Sequence, residues 1–175
     1  KDVTTTHLNW DAKVNFDLKQ IAAVATWNFQ NKTNQKYIHF DTYDLSVHKV
    51  KVNNKEVQYF LTPLLEDYGS GLSIPISQGD TIVSIEYVTG EHATALQWLR
   101  KEQTADKNLP YLFTQCESIH ARSLMPCQDV PANRITYDAT VQVPSPMMAI
   151  MSAHNPTEKT KDGIYHFEME LPIPT

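Results

Sequence analysis

Between Thr114 and Arg122 the chain reads Thr-Gln-Cys-Glu-Ser-Ile-His-Ala-Arg, with apolar Tyr111-Leu112-Phe113 before it and Leu124-Met125 after it. Gln115, Glu117, His120 and Arg122 therefore sit among residues that belong in a core. Polar groups in such a setting must find partners or serve a ligand. On the residues alone, a structural hydrogen-bond network that pairs Glu117 with Arg122 is the stronger reading, and a ligand site the weaker. Cys116, His120 and Cys127 can be drawn as three zinc ligands. Structural zinc sites take four ligands with close pairs, and an i, i+4 Cys/His pair plus one distant Cys matches that poorly. The expectation is free, buried thiols and no metal held by this chain. Glu91-His92 lacks the second histidine of a zinc helix and reads as a solvated turn. H-E-x-x-H, G-x-S-x-G and Gly-rich phosphate loops do not occur in the sequence. Asn31-Lys32-Thr33 is a glycosylation sequon in form, of a kind that arises often by chance.

What must hold these residues is set by length and composition. The chain has 175 residues, a net charge of −5, 41 % hydrophobic and 20 % charged residues, which suits one globular domain with a real core. Its longest apolar runs, Ile21–Ala25 and Met147–Met151, are too short to span a bilayer. An acidic chain with scattered Lys and Arg has no electrostatic footprint for nucleic acid. Two cysteines make no disulfide scaffold. The chain opens on Lys1 without a signal segment and closes on a strand at Thr175, so it reads as an excerpt of something longer. The free thiols and the lack of a signal suggest a cytoplasmic location.

Period-two alternation dominates. Leu8, Trp10, Ala12, Val14, Phe16 and Leu18 alternate with polar residues, as do Ile135, Tyr137, Ala139, Val141 and Val143, and again Tyr165, Phe167, Met169, Leu171 and Ile173. Asn53-Asn54 between Val50-Lys51-Val52 and Val57 predicts a hairpin turn. Shorter strands fit Tyr37–Thr42, Leu72–Ile76 and Thr81–Val88, and Ile21–Phe29 reads as β despite its helical spacing. One apolar face and one polar face point to antiparallel sheets, and proline after Pro126 excludes long helices. The expected fold is all-β, a sandwich or saddle of mostly antiparallel sheets with at most one or two short helical turns. One such turn is predicted over Thr94–Arg100.

The specific residues then match a family. Thr114–Glu117, Ala121-Arg122, Met125-Pro126-Cys127-Gln128-Asp129 and Pro131 resemble the zinc aminopeptidases of the gluzincin class, the alanyl/leucyl aminopeptidase and leukotriene-A hydrolase family. The branch with leukotriene-A hydrolase and its bacterial aminopeptidase relatives is the most similar. Ile135–Val141, Met151-Ser152-Ala153 and Leu171–Pro174 resemble the same branch, as does Phe40–Leu45. The resemblance implies that residues 1–175 are the saddle-shaped N-terminal β domain of a larger aminopeptidase, whose zinc domain, with G-x-M-E-N and H-E-x-x-H, is absent from this chain. It implies zinc in the parent enzyme, a peptide N-terminus and the missing catalytic domain as partners, and a fragment that is inactive alone. By the same resemblance the substrate-binding residues are Gln115, Glu117 and Ser118. Gln115 would line the pocket for the first side chain, Glu117 would bind the free α-amine, and Ser118 and His120 would support them. The leukotriene-forming member has Gln where this chain has Glu117, which favours a plain aminopeptidase. The alternative is a stand-alone β-sandwich module binding carbohydrate or peptide on a Tyr and Trp platform, although Trp10 and Trp27 are in phase with core positions.

Overall fold

The computed structural model describes residues 2–175. The long alternating stretches become the body of a seven-stranded sheet: β1 (Val3–Asn15), β2 (Gln20–Asn31), β4 (Leu45–Val52), β5 (Lys55–Glu56), β8 (Ile82–Thr89), β11 (Arg134–Gln142) and β12 (Ile164–Pro174). Their order is β12-β11-β1-β2-β8-β4-β5. A three-stranded sheet is built from β3 (Tyr37–Thr42), β7 (Ser70–Pro75) and β6 (Phe60–Leu61), in that order, and a two-stranded one from β9 (Leu96–Leu99) and β10 (Tyr111–Thr114). The turn between β4 and β5 holds Asn53 and Asn54 at φ 45° and 67°, the left-handed conformation that asparagine tolerates best.

Within the mostly antiparallel arrangement expected, the large sheet contains one parallel pair: β1 runs alongside β11 in register from His7↔Thr136 to Lys13↔Gln142. Alternation reports which face is covered, not which way a neighbour runs. The long excursion from β2 to β11 covers one face only, so both strands keep a solvated face and read as antiparallel. On that face His7 bridges Thr136 (Nδ1 to Oγ1, 2.7 Å) and Asp138 (Nε2 to Oδ2, 3.1 Å) of β11.

Two expectations need correction: Leu18 lies exposed beyond the end of β1, and Thr94–Arg100 is not helical. Leu96–Leu99 pairs antiparallel with Tyr111–Thr114, Leu99 opposite Tyr111 and Leu96 opposite Thr114. One turn of isolated helix is not stable by itself, whereas the hairpin ladder satisfies the same backbone groups. It also stands Trp98 edge-on against Phe16, with ring centres 5.3 Å apart. The helical turns lie instead at Lys101–Gln103, a 3-10 turn, and at α1 (Ala121–Leu124). All four residues of α1 are buried, so it carries no amphipathic pattern by which a sequence could reveal it.

The core lies between the large sheet and the smaller sheets with α1. Trp27, Phe40, Ile85 and Tyr87 are among its most enclosed side chains, and Trp27 packs on Phe40 at 6.1 Å. Each buried indole N–H has a partner. Trp27 Nε1 donates to the Pro126 carbonyl at 3.0 Å, and Trp10 Nε1 to the Tyr87 hydroxyl at 2.9 Å. That hydroxyl in turn donates to the Leu124 carbonyl at 2.9 Å. One phenol thus joins β1, β8 and the end of α1.

Tyr87→Phe should strand a buried indole N–H and a buried carbonyl at once. Each unmet group costs about 1–3 kcal/mol, so urea unfolding should register a loss of about 2–4 kcal/mol. A loss below about 0.5 kcal/mol would show that the relay does not hold α1 to the sheet.

Candidate functional site

At the end of β10 the chain leaves the hairpin and turns through Gln115 to His120 before entering α1. The Gln115 N–H donates to the Ala95 carbonyl at 2.9 Å. Gln115 Oε1 accepts the Glu117 N–H at 3.1 Å, and the His120 N–H closes the turn on the Cys116 carbonyl at 2.9 Å. The peptide bond between Glu117 and Ser118 is cis. Gln115, Glu117 and Ser118 are exposed. Among the described residues the Glu117 carboxylate makes no ion pair.

Arg122 behaves oppositely. Its side chain is buried, and its Nε donates to Asp129 Oδ2 at 2.9 Å. The same oxygen accepts the Arg122 backbone N–H at 3.2 Å, and Arg122 Nη1 donates to the Tyr68 carbonyl at 2.7 Å. Asp41 Oδ2 accepts the Asp129 N–H at 3.0 Å and stands 4.0 Å from Arg122 Nη2. Gly69, at φ +83°, presses against the Thr42 carbonyl where a Cβ would collide, which keeps the Tyr68 carbonyl within reach. Gln128 serves β1: its Oε1 accepts the Thr5 N–H at 3.2 Å and its Nε2 donates to the Val3 carbonyl at 3.0 Å. Those groups precede the parallel pairing with β11, which begins at His7, so a side-chain amide stands in for a missing strand.

The polar segment therefore separates into two sets. Arg122 and Asp129 form a buried pair, Ser123 and Gln128 are buried with partners of their own, and the pairing of Glu117 with Arg122 is not made. Gln115, Glu117 and Ser118 are brought together on the outside. Sequence reasoning missed Asp41, Tyr68, Thr94 and Ala95, which lie 20 to 88 residues from the groups they hold. No local pattern announces contacts of that range. Trp10 and Trp27 are both buried and so contribute nothing to an aromatic platform on the surface.

The thiols differ in depth, not in character. Cys127 is fully buried and Cys116 half-buried, and both are free. Burial, helped by the Asp129 carboxylate, pushes the Cys116 thiol up to about 11 and holds Cys127 well above its ordinary range. Metal ligands and nucleophiles need the thiolate, and among the described residues no three His, Cys, Asp or Glu side chains are grouped to hold a metal. These residues do not fit a zinc ion. A cavity of about 850 Å³ lies beneath the hairpin, lined by Trp10, Ile21, Leu112, Tyr137, Val141 and Met148, and it does not include Gln115, Glu117 or Ser118.

The profile of the peptidase M1 N-terminal domain matches residues 4–175. The chain belongs to that family. The M1 domain is 37 % identical over 186 residues to leucine aminopeptidase 2 of Ajellomyces capsulatus, covering 98 % of this chain and 29 % of that protein. It is 37 % identical over 180 residues to leukotriene A-4 hydrolase of Xenopus laevis, covering 97 % and 30 %. Native yeast LTA4 hydrolase superposes with a TM-score of 0.89 at 32 % identity, over 99 % of this chain and 27 % of that one. An M1 zinc metallopeptidase from Deinococcus radiodurans shares the fold, with a TM-score of 0.77 at 16 % identity over 99 % of this chain and 40 % of that one. The chain thus spans less than a third of the length of the curated relatives it matches. The all-β fold expected of the family is the fold observed, and no described helix is long and apolar enough to cross a membrane.

The Cys116 thiol of the M1 domain should react with iodoacetamide at pH 8 roughly a hundredfold more slowly than an unperturbed thiol, accelerating as pH climbs toward 11. The folded state holds this proton more tightly than the unfolded chain. The stability it contributes is therefore complete below about pH 9 and is lost as pH rises toward about 11. Mass spectrometry after timed alkylation reads the first effect; fast labelling at pH 8 would show an exposed, activated thiol.

Proposed function

We propose that this domain supplies the wall of a zinc aminopeptidase's substrate cleft that anchors the α-amine of a peptide's first residue. The supporting observation is the state of Glu117. Its carboxylate is exposed and free of ion pairs on a loop whose neighbouring polar groups are tied down. A substrate ammonium completes that arrangement with charge-assisted hydrogen bonds. Gln115 has its Oε1 committed to the Glu117 N–H and keeps its amide NH2 free to line the pocket for the first side chain, with Ser118 beside it. A carboxylate in this place also accounts for exopeptidase selectivity, because an internal peptide bond brings no positive charge to it. Lewis-acid chemistry at zinc would belong to the part of the polypeptide outside these residues. Cytoplasmic residence is part of the same reading, since two free thiols suit a reducing compartment.

In the full-length enzyme, Glu117→Ala should lower kcat/KM on aminoacyl substrates about 10- to 200-fold, the equivalent of one charge-assisted hydrogen bond. Glu117→Gln keeps the size and one acceptor, so it should lose less. Bound zinc and melting temperature should stay near wild type in both. Activity per folded molecule within about twofold of wild type would overturn the anchor assignment.

A further inference from the structure

The loop carrying Glu117 is pinched at both ends by one dipeptide, Thr94-Ala95. Its first residue is held where the Gln115 N–H meets the Ala95 carbonyl at 2.9 Å. Its last is held where His120 Nδ1 meets Thr94 Oγ1 at 2.8 Å. We propose that His120 is a positioning residue for Glu117, fixing the loop through a ring of hydrogen bonds with Thr94 and Ser123; this rests on the amine-anchor reading.

The donors in that ring can be counted. The Ser123 hydroxyl donates to the His120 carbonyl at 2.8 Å, so its oxygen is left to accept the Ala95 N–H at 2.8 Å and the Thr94 hydroxyl at 3.3 Å. Thr94, having donated to Ser123, accepts from His120. Every bond is used when the imidazole carries its proton on Nδ1. Nε2 is not needed, and it has no partner among the described residues.

The two halves of the ring do different work. Ser123 is fully buried and joins α1 to the start of β9, which is a folding contact. The bond between His120 and Thr94 lies at the surface, and Thr94 is exposed. Its loss leaves the buried network of Arg122 and Asp129 intact and removes the side-chain tie three residues from Glu117, while the His120 backbone keeps its bonds to Cys116 and Ser123. An anchoring carboxylate works only when held within a fraction of an ångström of its productive place. The His120 bond is therefore expected to act on catalysis more than on stability.

The full-length enzyme tests this with an aminoacyl anilide as substrate. His120→Ala and Thr94→Val should each lower kcat/KM about 5- to 20-fold, with little change in melting temperature. His120→Asn places an amide nitrogen where Nδ1 stands and should restore most of the rate, as should Thr94→Ser. His120→Gln reaches the Nε2 position instead and should not. In a Glu117→Ala background, His120→Ala should remove no more than about a further twofold, because its effect passes through the carboxylate already lost. If the two losses multiply, or if Asn at 120 is as poor as Ala, the positioning role is overturned while the anchor stands. If Glu117→Ala alone is inert, the anchor and this inference fall together. Should His120→Ala not accumulate, Thr94→Val with its serine control carries the same cycle.

Discussion

A guanidinium taken out of water has to be compensated almost completely, and Arg122 imposes that demand on this domain. Its charge meets the Asp129 carboxylate at 2.9 Å, and its remaining N–H groups reach the Tyr68 and Asp129 carbonyls. Asp129 is in turn held by Asp41 of β3 through its own backbone N–H. Burying such a pair is seldom favourable by itself, but removing one member leaves a charge with nowhere to go. The pair therefore fixes position more than it stabilises. It ties α1, the loop after β6 and the edge of the three-stranded sheet into one arrangement.

Around that arrangement, side chains do what backbone ladders cannot. Gln128 supplies donor and acceptor to β1 ahead of its pairing with β11. Tyr87 links the Trp10 indole to the end of α1. Ser123 closes α1 on the start of β9. Each is a buried polar group with its partners satisfied, the condition under which such groups specify a single structure. The consequence for function is local rigidity. The loop from Gln115 to His120 is short, bounded by tied residues, and leaves Glu117 as an uncommitted charge.

Family membership fits this division between frame and site. The M1 profile covers nearly the whole chain, while the relatives run more than three times as long. On the proposed reading, a domain that contributes one wall to a cleft needs a few outward-facing polar groups on a frame that does not yield. The motif segment contains both kinds of residue side by side, which is why its polar content is ambiguous when read in isolation.

Much of the fold is legible in the sequence. Alternation located β1, β11 and β12, and Asn53-Asn54 marked its hairpin, because a half-covered strand and a left-handed turn each leave a local imprint on residue choice. The resemblance singles out Gln115, Glu117 and Ser118 as the residues of the proposed site. Strand direction was not encoded locally, so the parallel pairing of β1 with β11 stayed hidden. Nor was the state of Leu96–Leu99, which β10 decides by offering a ladder. The partner of Arg122 was equally out of reach. Glu117 and Asp129 are both near it in sequence, and only the packing of α1 against β3 turns the guanidinium toward Asp129 and leaves Glu117 outside. Residue type and period are properties of a segment, whereas pairing direction and charge partnership depend on what the rest of the chain brings alongside it.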